Sequence, residues 1–145
     1  MPAEFSVAHR VQFCETDMAG VAHFANYFRW MEEAEHAFFR SLGMSILMDY
    51  EGSRLSWPRV SASCEYQGPL HFEDEVEMRL SLTRLGNKSL SYEIRFLNNG
   101  REVAIGKITA VCVLVGAEEF RAISIPPAVR QKLRGSGQVF SDDPT

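Results

Sequence analysis

The chain has 145 residues, 15 Lys and Arg against 19 Asp and Glu, and a formal net charge of −4. That length suits one domain with its own core, and the acidic balance excludes a broad basic face for nucleic acid. No apolar run approaches a membrane span, and the N-terminus lacks the pattern of a secretory signal. Three cysteines, Cys14, Cys64 and Cys112, are odd in number and sit in strand-like contexts. They read as small buried thiols of a cytoplasmic protein, not as a disulfide framework.

Residues 5–13 are predicted to form a first strand, followed by a turn carrying Asp17 and Gly20. From about Phe24 to Leu42, apolar residues Phe24, Phe28, Met31, Ala34, Phe38 and Leu42 recur at spacings of three and four. That is the period of an amphipathic helix, and Gly43 supplies its stop. Tyr27, Trp30 and Ala37 widen the stripe, which suggests a helix enclosed by a sheet. Residues 44–57 read as a short helix at 44–48 and a loop. After Pro58, residues 59–67 read as a strand. Val76, Met78, Leu80 and Leu82 alternate with polar residues, as do Leu90, Tyr92, Ile94 and Phe96 beyond Gly86-Asn87. These are two half-buried strands of an antiparallel hairpin. Asn98-Asn99-Gly100 marks another turn. The last strand spans about 101–115, with a bulge expected near Gly106 where the apolar phase shifts. Residues 110–115 are apolar on both faces, as in a central strand or one buried against another subunit. Ile125-Pro126-Pro127 opens a short helix to about Leu133. Residues 1–134 are thus expected to form one α+β domain with an antiparallel five- to six-stranded sheet around one long helix, and 135–145 a disordered tail.

The most informative chemistry lies at 10–27. An acid, Asp17, follows the first strand, and a helix starts a few residues later. Such a turn can set a carboxylate beside exposed helix N–H groups, the parts acyl transfer needs. Taken alone, Asp17 reads first as a turn or capping aspartate, and only the surrounding pattern reverses that. Glu32 and His36 stand four apart on the helix, but two ligands without a third do not make a metal site, and no metal is expected. A thiol nucleophile built from Cys14 with His9 or His23 is disfavoured, because Cys14 falls at the apolar end of a strand. Asn26 is expected to fix the turn through backbone hydrogen bonds. No phosphate loop, dinucleotide fingerprint or zinc-protease motif is present. On spacing alone, Gly86-Asn87-Lys88-Ser89 is a plain hairpin turn with a solvated lysine.

The run Thr16-Asp17-x-x-Gly20-Val21-x-His23-x-x-Asn26-Tyr27 resembles the signature of hotdog-fold acyl-CoA thioesterases of the 4-hydroxybenzoyl-CoA thioesterase type. The resemblance extends through the hairpin to Phe120-Arg121-Ala122-Ile123 and the prolines beyond. It implies hydrolysis of a CoA thioester to free acid and CoA, with no cofactor. An aromatic acyl group is slightly favoured over a short or medium aliphatic one. By this resemblance Asp17 is the catalytic carboxylate, as nucleophile or as general base on water, and the main-chain N–H of Phe24 holds the developing oxyanion. Phe24 stands where the best-studied branch has a different aromatic, which bears on the acyl pocket. His23 lies beside the site as a substrate-binding residue. Lys88 and Ser89 are implied to contact the CoA phosphates, although Gly86 and Asn87 replace two arginines of the closest branch. Arg54, Arg59 and Arg84 are further cations for that role. The family shares active sites between subunits, so a homodimer or homotetramer is implied. A non-catalytic acyl-CoA or acyl-carrier binding protein on the same fold is the alternative.

Overall fold

In the computed structural model, residues 5–138 and the backbone of 141–142 are described. The order is β1 (Phe5–Arg10), a 3₁₀ turn (Phe13–Glu15), α1 (Asn26–Ser41), β2 (Met48–Tyr50), β3 (Ser53–Ser56), β4 (Arg59–Tyr66), β5 (Glu75–Leu85), β6 (Ser89–Asn98), β7 (Arg101–Val111), β8 (Val113–Val115), β9 (Phe120–Ala122), α2 (Pro127–Arg134) and β10 (Ser141–Asp142). The main sheet runs β1-β5-β6-β7-β4, with β10 also on β5. Its path is antiparallel throughout. A second sheet, β2-β3-β8-β9, carries the chain beyond bends at Trp57-Pro58 and Cys112. The long helix lies on the main sheet, which is the expected hotdog arrangement. No helix among the described residues is long and apolar enough to cross a membrane.

The period-two pattern of the central hairpin is realised residue by residue. Met78 faces Phe96, Leu80 faces Ile94 and Leu82 faces Tyr92, all buried against the helix. The helix answers with Tyr27, Trp30, Met31, Ala34, Phe38 and Phe39. Phe24 falls outside this stripe, because α1 begins only at Asn26, and its side chain is 62 % exposed.

The anticipated bulge near Gly106 is not there. The β6–β7 register slips at Val103, between the pairs Phe96–Ala104 and Leu97–Glu102. Gly106 instead marks the closest approach of helix and sheet. A Cβ built on it would stand 2.1 Å from Met31 Sδ, so any residue but glycine has to displace the Met31 side chain.

Residues 44–57 hold no helix. They form the β2–β3 hairpin, turning at Glu51 (φ 51°) and Gly52 (φ 80°), with β3 paired to β8. The pairing with β8, over fifty residues away in sequence, decides the outcome, and local propensity cannot show it. The apolar run 110–115 is already enclosed within this chain, with Cys112, Val113 and Leu114 buried. The tail also departs from expectation where it is described. Gln138 accepts the Leu82 N–H at 3.2 Å, and β10 runs parallel to β5 at Arg84 and Leu85. It thus continues the edge that β1 occupies lower on the same strand. Val139, Phe140 and 143–145 lie outside the described residues.

One buried ion pair crosses this core. Glu35 on α1 is fully buried and bonds Arg59 at the start of β4. Burial pushes the Glu35 carboxyl up, with the Arg59 cation opposing. Arg59 also donates to the Trp57 carbonyl at 2.8 Å. It is therefore committed inward, which removes it from the cations considered for phosphate.

Candidate active site

The segment between β1 and α1 folds as a short hairpin. Thr16 bridges Ala22, the Asp17 N–H bonds the Val21 carbonyl at 2.9 Å, and the His23 N–H bonds the Glu15 carbonyl at 2.8 Å. Asp17 sits at the tip, exposed, with Oδ1 accepting the Ala19 N–H at 2.9 Å. That aspartate turn is local chemistry. Three bonds pin the hairpin to the end of the sheet: Ala22 N–H to Leu70 O, Val11 N–H to Asp74 O and Glu73 N–H to Val11 O.

The node beneath this hairpin is Glu15, which sequence reasoning passed over. Its buried carboxylate receives His9 Nε2 at 2.9 Å, the Gln12 N–H at 2.7 Å and Trp30 Nε1 at 2.8 Å. Burial alone would raise its pKa. The His9, Gln12 and Trp30 hydrogen bonds together outweigh that, and the carboxyl ends below its ordinary value. Its carbonyl takes the His23 N–H and also the Asn26 side-chain amide at 2.7 Å. Asn26 thus fixes the turn as expected. The available signal was a Gln12-x-x-Glu15 capping pattern, of which the Glu15 half is made, its Oε1 taking the Gln12 N–H at 2.7 Å.

The helix entry is nearly saturated. Backbone N–H groups at 22, 23, 26, 27 and 28 bond Leu70, Glu15, His23, Phe24 and Ala25 carbonyls, and Ala25 N–H reaches His23 Nδ1 at 3.3 Å. Among the described residues, the Phe24 N–H is the one donor in 22–28 without an acceptor. The Phe24 carbonyl accepts Tyr66 Oη–H at 2.9 Å, from the end of β4. Burial and neighbouring Cys64 push Tyr66 up to about 12, so the phenol stays a donor at neutral pH. His23 is exposed, its ring 4.7 Å from that of Phe24. Exposed Phe13, Met18 and Phe72 surround the hairpin, and Phe13 and Phe72 meet edge to face at 5.8 Å.

Cys14 is exposed, contrary to expectation, because β1 ends at Arg10 and the thiol falls in the 3₁₀ turn. Cys64 is half-buried and Cys112 buried. Among the described residues no three His, Cys, Asp or Glu side chains gather to hold a metal.

The turn at Lys88 and Ser89 lies at the other end of β5. The Asp17 hairpin packs beside residues 70–74, before Glu75, whereas residues 86–88 follow Leu85. Eleven strand residues separate them, about 35 Å of extended chain. Within one chain the structure does not bring these two groups together. Lys88 is exposed, but Ser89 is buried and its hydroxyl accepts Arg84 at 2.7 Å. A cation the sequence did not single out, Arg130 on α2, donates to the Gly86 and Asn87 carbonyls at 2.7 and 2.9 Å. It holds the turn from below.

Known proteins share this construction. A gentisyl-coenzyme A thioesterase of known structure is 34 % identical, over 89 % of this chain and 98 % of that one, with a TM-score of 0.76. A protein from Aquifex aeolicus is 32 % identical over 89 % and 98 %, with a TM-score of 0.79. A 1,4-dihydroxy-2-naphthoyl-CoA hydrolase of Synechococcus sp. (strain WH7803) is 29 % identical over 88 % of this chain and 86 % of its own. Residues 11–133, from the end of β1 to the end of α2, match the Thioesterase-like superfamily as a whole. The chain belongs to that superfamily, as a hotdog-fold thioester hydrolase.

Proposed function

We propose that this thioesterase hydrolyses acyl-CoA esters, aromatic ones in preference to short or medium aliphatic ones, using Asp17 and the Phe24 N–H. The observation that carries the reading is the unbonded Phe24 N–H in a helix entry whose other donors are all spent. A free main-chain donor at a helix start stabilises an oxyanion in place of bulk water. Asp17 sits at the tip of the hairpin that leads into this helix entry. As general base it takes a proton from water while the water oxygen bonds the acyl carbon. The carbonyl oxygen becomes negative against Phe24 N–H, and collapse expels the CoA thiolate, which recovers the proton. As nucleophile, its carboxylate bonds the acyl carbon while the C–S bond breaks and CoA leaves as the thiolate; water then hydrolyses the resulting anhydride, releasing the acid and restoring the Asp17 carboxylate. The exposed aromatic surroundings, and the aromatic acyl groups named for two of the relatives, support the aromatic preference.

The reading requires a second subunit. Asp17 and Lys88 of one chain are too far apart for one CoA to touch both, so the nucleotide is held by the partner's turn. Edge strand β4 supplies the contact. Its outer side is unpaired among the described residues, and Val60, Ala62 and Tyr66 on it are exposed. An open edge of this kind is a template for strand pairing. Light scattering at micromolar concentration should read a dimer or tetramer; a fully active monomer contradicts the shared site.

The direct test is Asp17→Asn, assayed by thiol release on benzoyl-type, phenylacetyl and aliphatic CoA esters. The variant should assemble normally and lose about two to four orders of magnitude in kcat. Near wild-type turnover would reject Asp17, and equal rates across the panel would reject the aromatic preference. Binding of all esters without turnover by the wild type would leave the binding-protein alternative.

A further inference from the structure

A cavity of about 520 Å³ lies beside the Asp17 hairpin, between the β4–β5 loop and the β6–β7 turn. Gln67, His71, Asn98, Asn99 and Arg101 line it, each able to donate an N–H, and none of its lining residues is Asp or Glu. The cavity between residues 43–48 and α2 also lacks acids, but Ser45 and Lys132 are its only polar side chains; here five polar donors converge, with Asp74 reaching His71 at 3.6 Å from outside the lining. The cavity on the outer face of α1 is the contrast. There Glu15, Glu32 and Glu33 face His9, His36 and Arg29, and the charges compensate one another. Arg101 forms no ion pair among the described residues.

The cavity is also firmly built. Gln67 and Gly68 N–H groups both bond the Val103 carbonyl, at 2.8 and 3.1 Å, where β7 bulges. That bulge fixes the loop to the strand that carries Arg101. Leu70, between lining residues Pro69 and His71, bonds Ala22 of the Asp17 hairpin at 2.7 Å. The cavity wall and the reacting loop are therefore one connected piece.

We infer that this cavity is an oxyanion subsite for the substrate, with Arg101 as its cation and the Asn and Gln amides as orienting donors. The inference rests on the thioesterase reading for the source of the anion: a phosphate of CoA, or a carboxylate carried by the acyl group. Both present the same planar or tetrahedral oxygens to a guanidinium fork.

Arg101→Gln tests it, with steady-state kinetics on a neutral acyl-CoA, the same acyl group on pantetheine, and a carboxylate-bearing acyl group on both carriers. Calorimetry with adenosine 3′,5′-bisphosphate runs alongside. Arg101 is exposed on a hairpin turn, so the substitution leaves the core intact. With phosphate as the anion, KM rises roughly five- to tenfold for both CoA esters, kcat holds, pantetheine esters are unaffected, and bisphosphate binding weakens in step. With a carboxylate as the anion, the loss follows that acyl group on either carrier. Arg101→Lys should recover part of either loss. Unchanged KM on all four substrates overturns the inference, as does an equal loss on all four. Weakened bisphosphate binding in a protein that hydrolyses no thioester would uphold the subsite while rejecting the thioesterase reading.

Discussion

Gly106→Ala tests the packing that fixes the helix, and with it the helix entry, against the sheet. The new Cβ would stand 2.1 Å from Met31 Sδ, 3.1 Å from Cε and 3.2 Å from Cγ. Met31 is completely buried, so its side chain cannot swing into solvent. Overpacking of this kind costs about 1–3 kcal/mol. Replacing glycine inside a strand returns about 0.5–1 kcal/mol, leaving a net loss of up to about 2.5 kcal/mol. In a Met31→Ala background the obstacle is gone. Met31→Ala itself should cost about 2–5 kcal/mol, but Gly106→Ala on top of it should now stabilise by about 0.5–1 kcal/mol. The expected signature is a reversal of sign between backgrounds, read by urea denaturation at one fixed protein concentration. The same loss in both backgrounds would refute the steric argument and leave Gly106 without a packing role.

Glu15→Gln should destabilise by about 1–3 kcal/mol, because an amide nitrogen must then face a Gln12, Trp30 or His9 donor. The folded Glu15 pKa lies below its ordinary 4.5, so its stabilisation is present above 4.5 and lost as pH falls through the folded value. The variant's stability should accordingly vary less with pH in that acidic window, measured by denaturation across pH; an unchanged pH dependence would dismiss Glu15 as the titrating group. Lys88→Ala should raise KM for CoA esters with kcat nearly unchanged, an effect that shrinks with salt and is missing with pantetheine esters. Equal losses on both carriers would point to damage in the hairpin.

What the sequence revealed follows from which interactions are local. The strands at 75–85 and 89–98 were legible because alternation is a property of the strand itself. The helix was legible for the same reason, apart from its start, where the side chain of Phe24 points outside the stripe. The loop carrying Asp17 was singled out through a motif, not through periodicity. Cys14 was missed locally, through the early end of β1; the other misses depend on partners folded onto the residue from elsewhere. The β2–β3 hairpin is decided by β8, Gly106 by Met31, and the inward turn of Arg59 by Glu35. Glu15 escaped because a glutamate two residues before an aspartate looks like one more exposed acid until Trp30 and His9 are folded onto it. Arg130 lay on a short helix whose position relative to the 86–88 turn only the fold supplies.

The pairing of β1 with β5 sets an order of events during synthesis. The partners of β1 lie between 65 residues away (Arg10–Glu75) and 75 residues away (Phe5–Leu80). At ordinary translation rates β1 waits roughly 3–15 s for the strand that pairs with it, and the apolar face of α1 somewhat less. The β5–β6–β7 meander, by contrast, is made of neighbours and closes as soon as residue 111 is clear. Nascent chains therefore pass through a stage in which the helix bearing Trp30, Phe38 and Phe39 is already made but the meander that covers it is not, the interval in which this protein is most exposed to misassembly and most suited to a chaperone's grip.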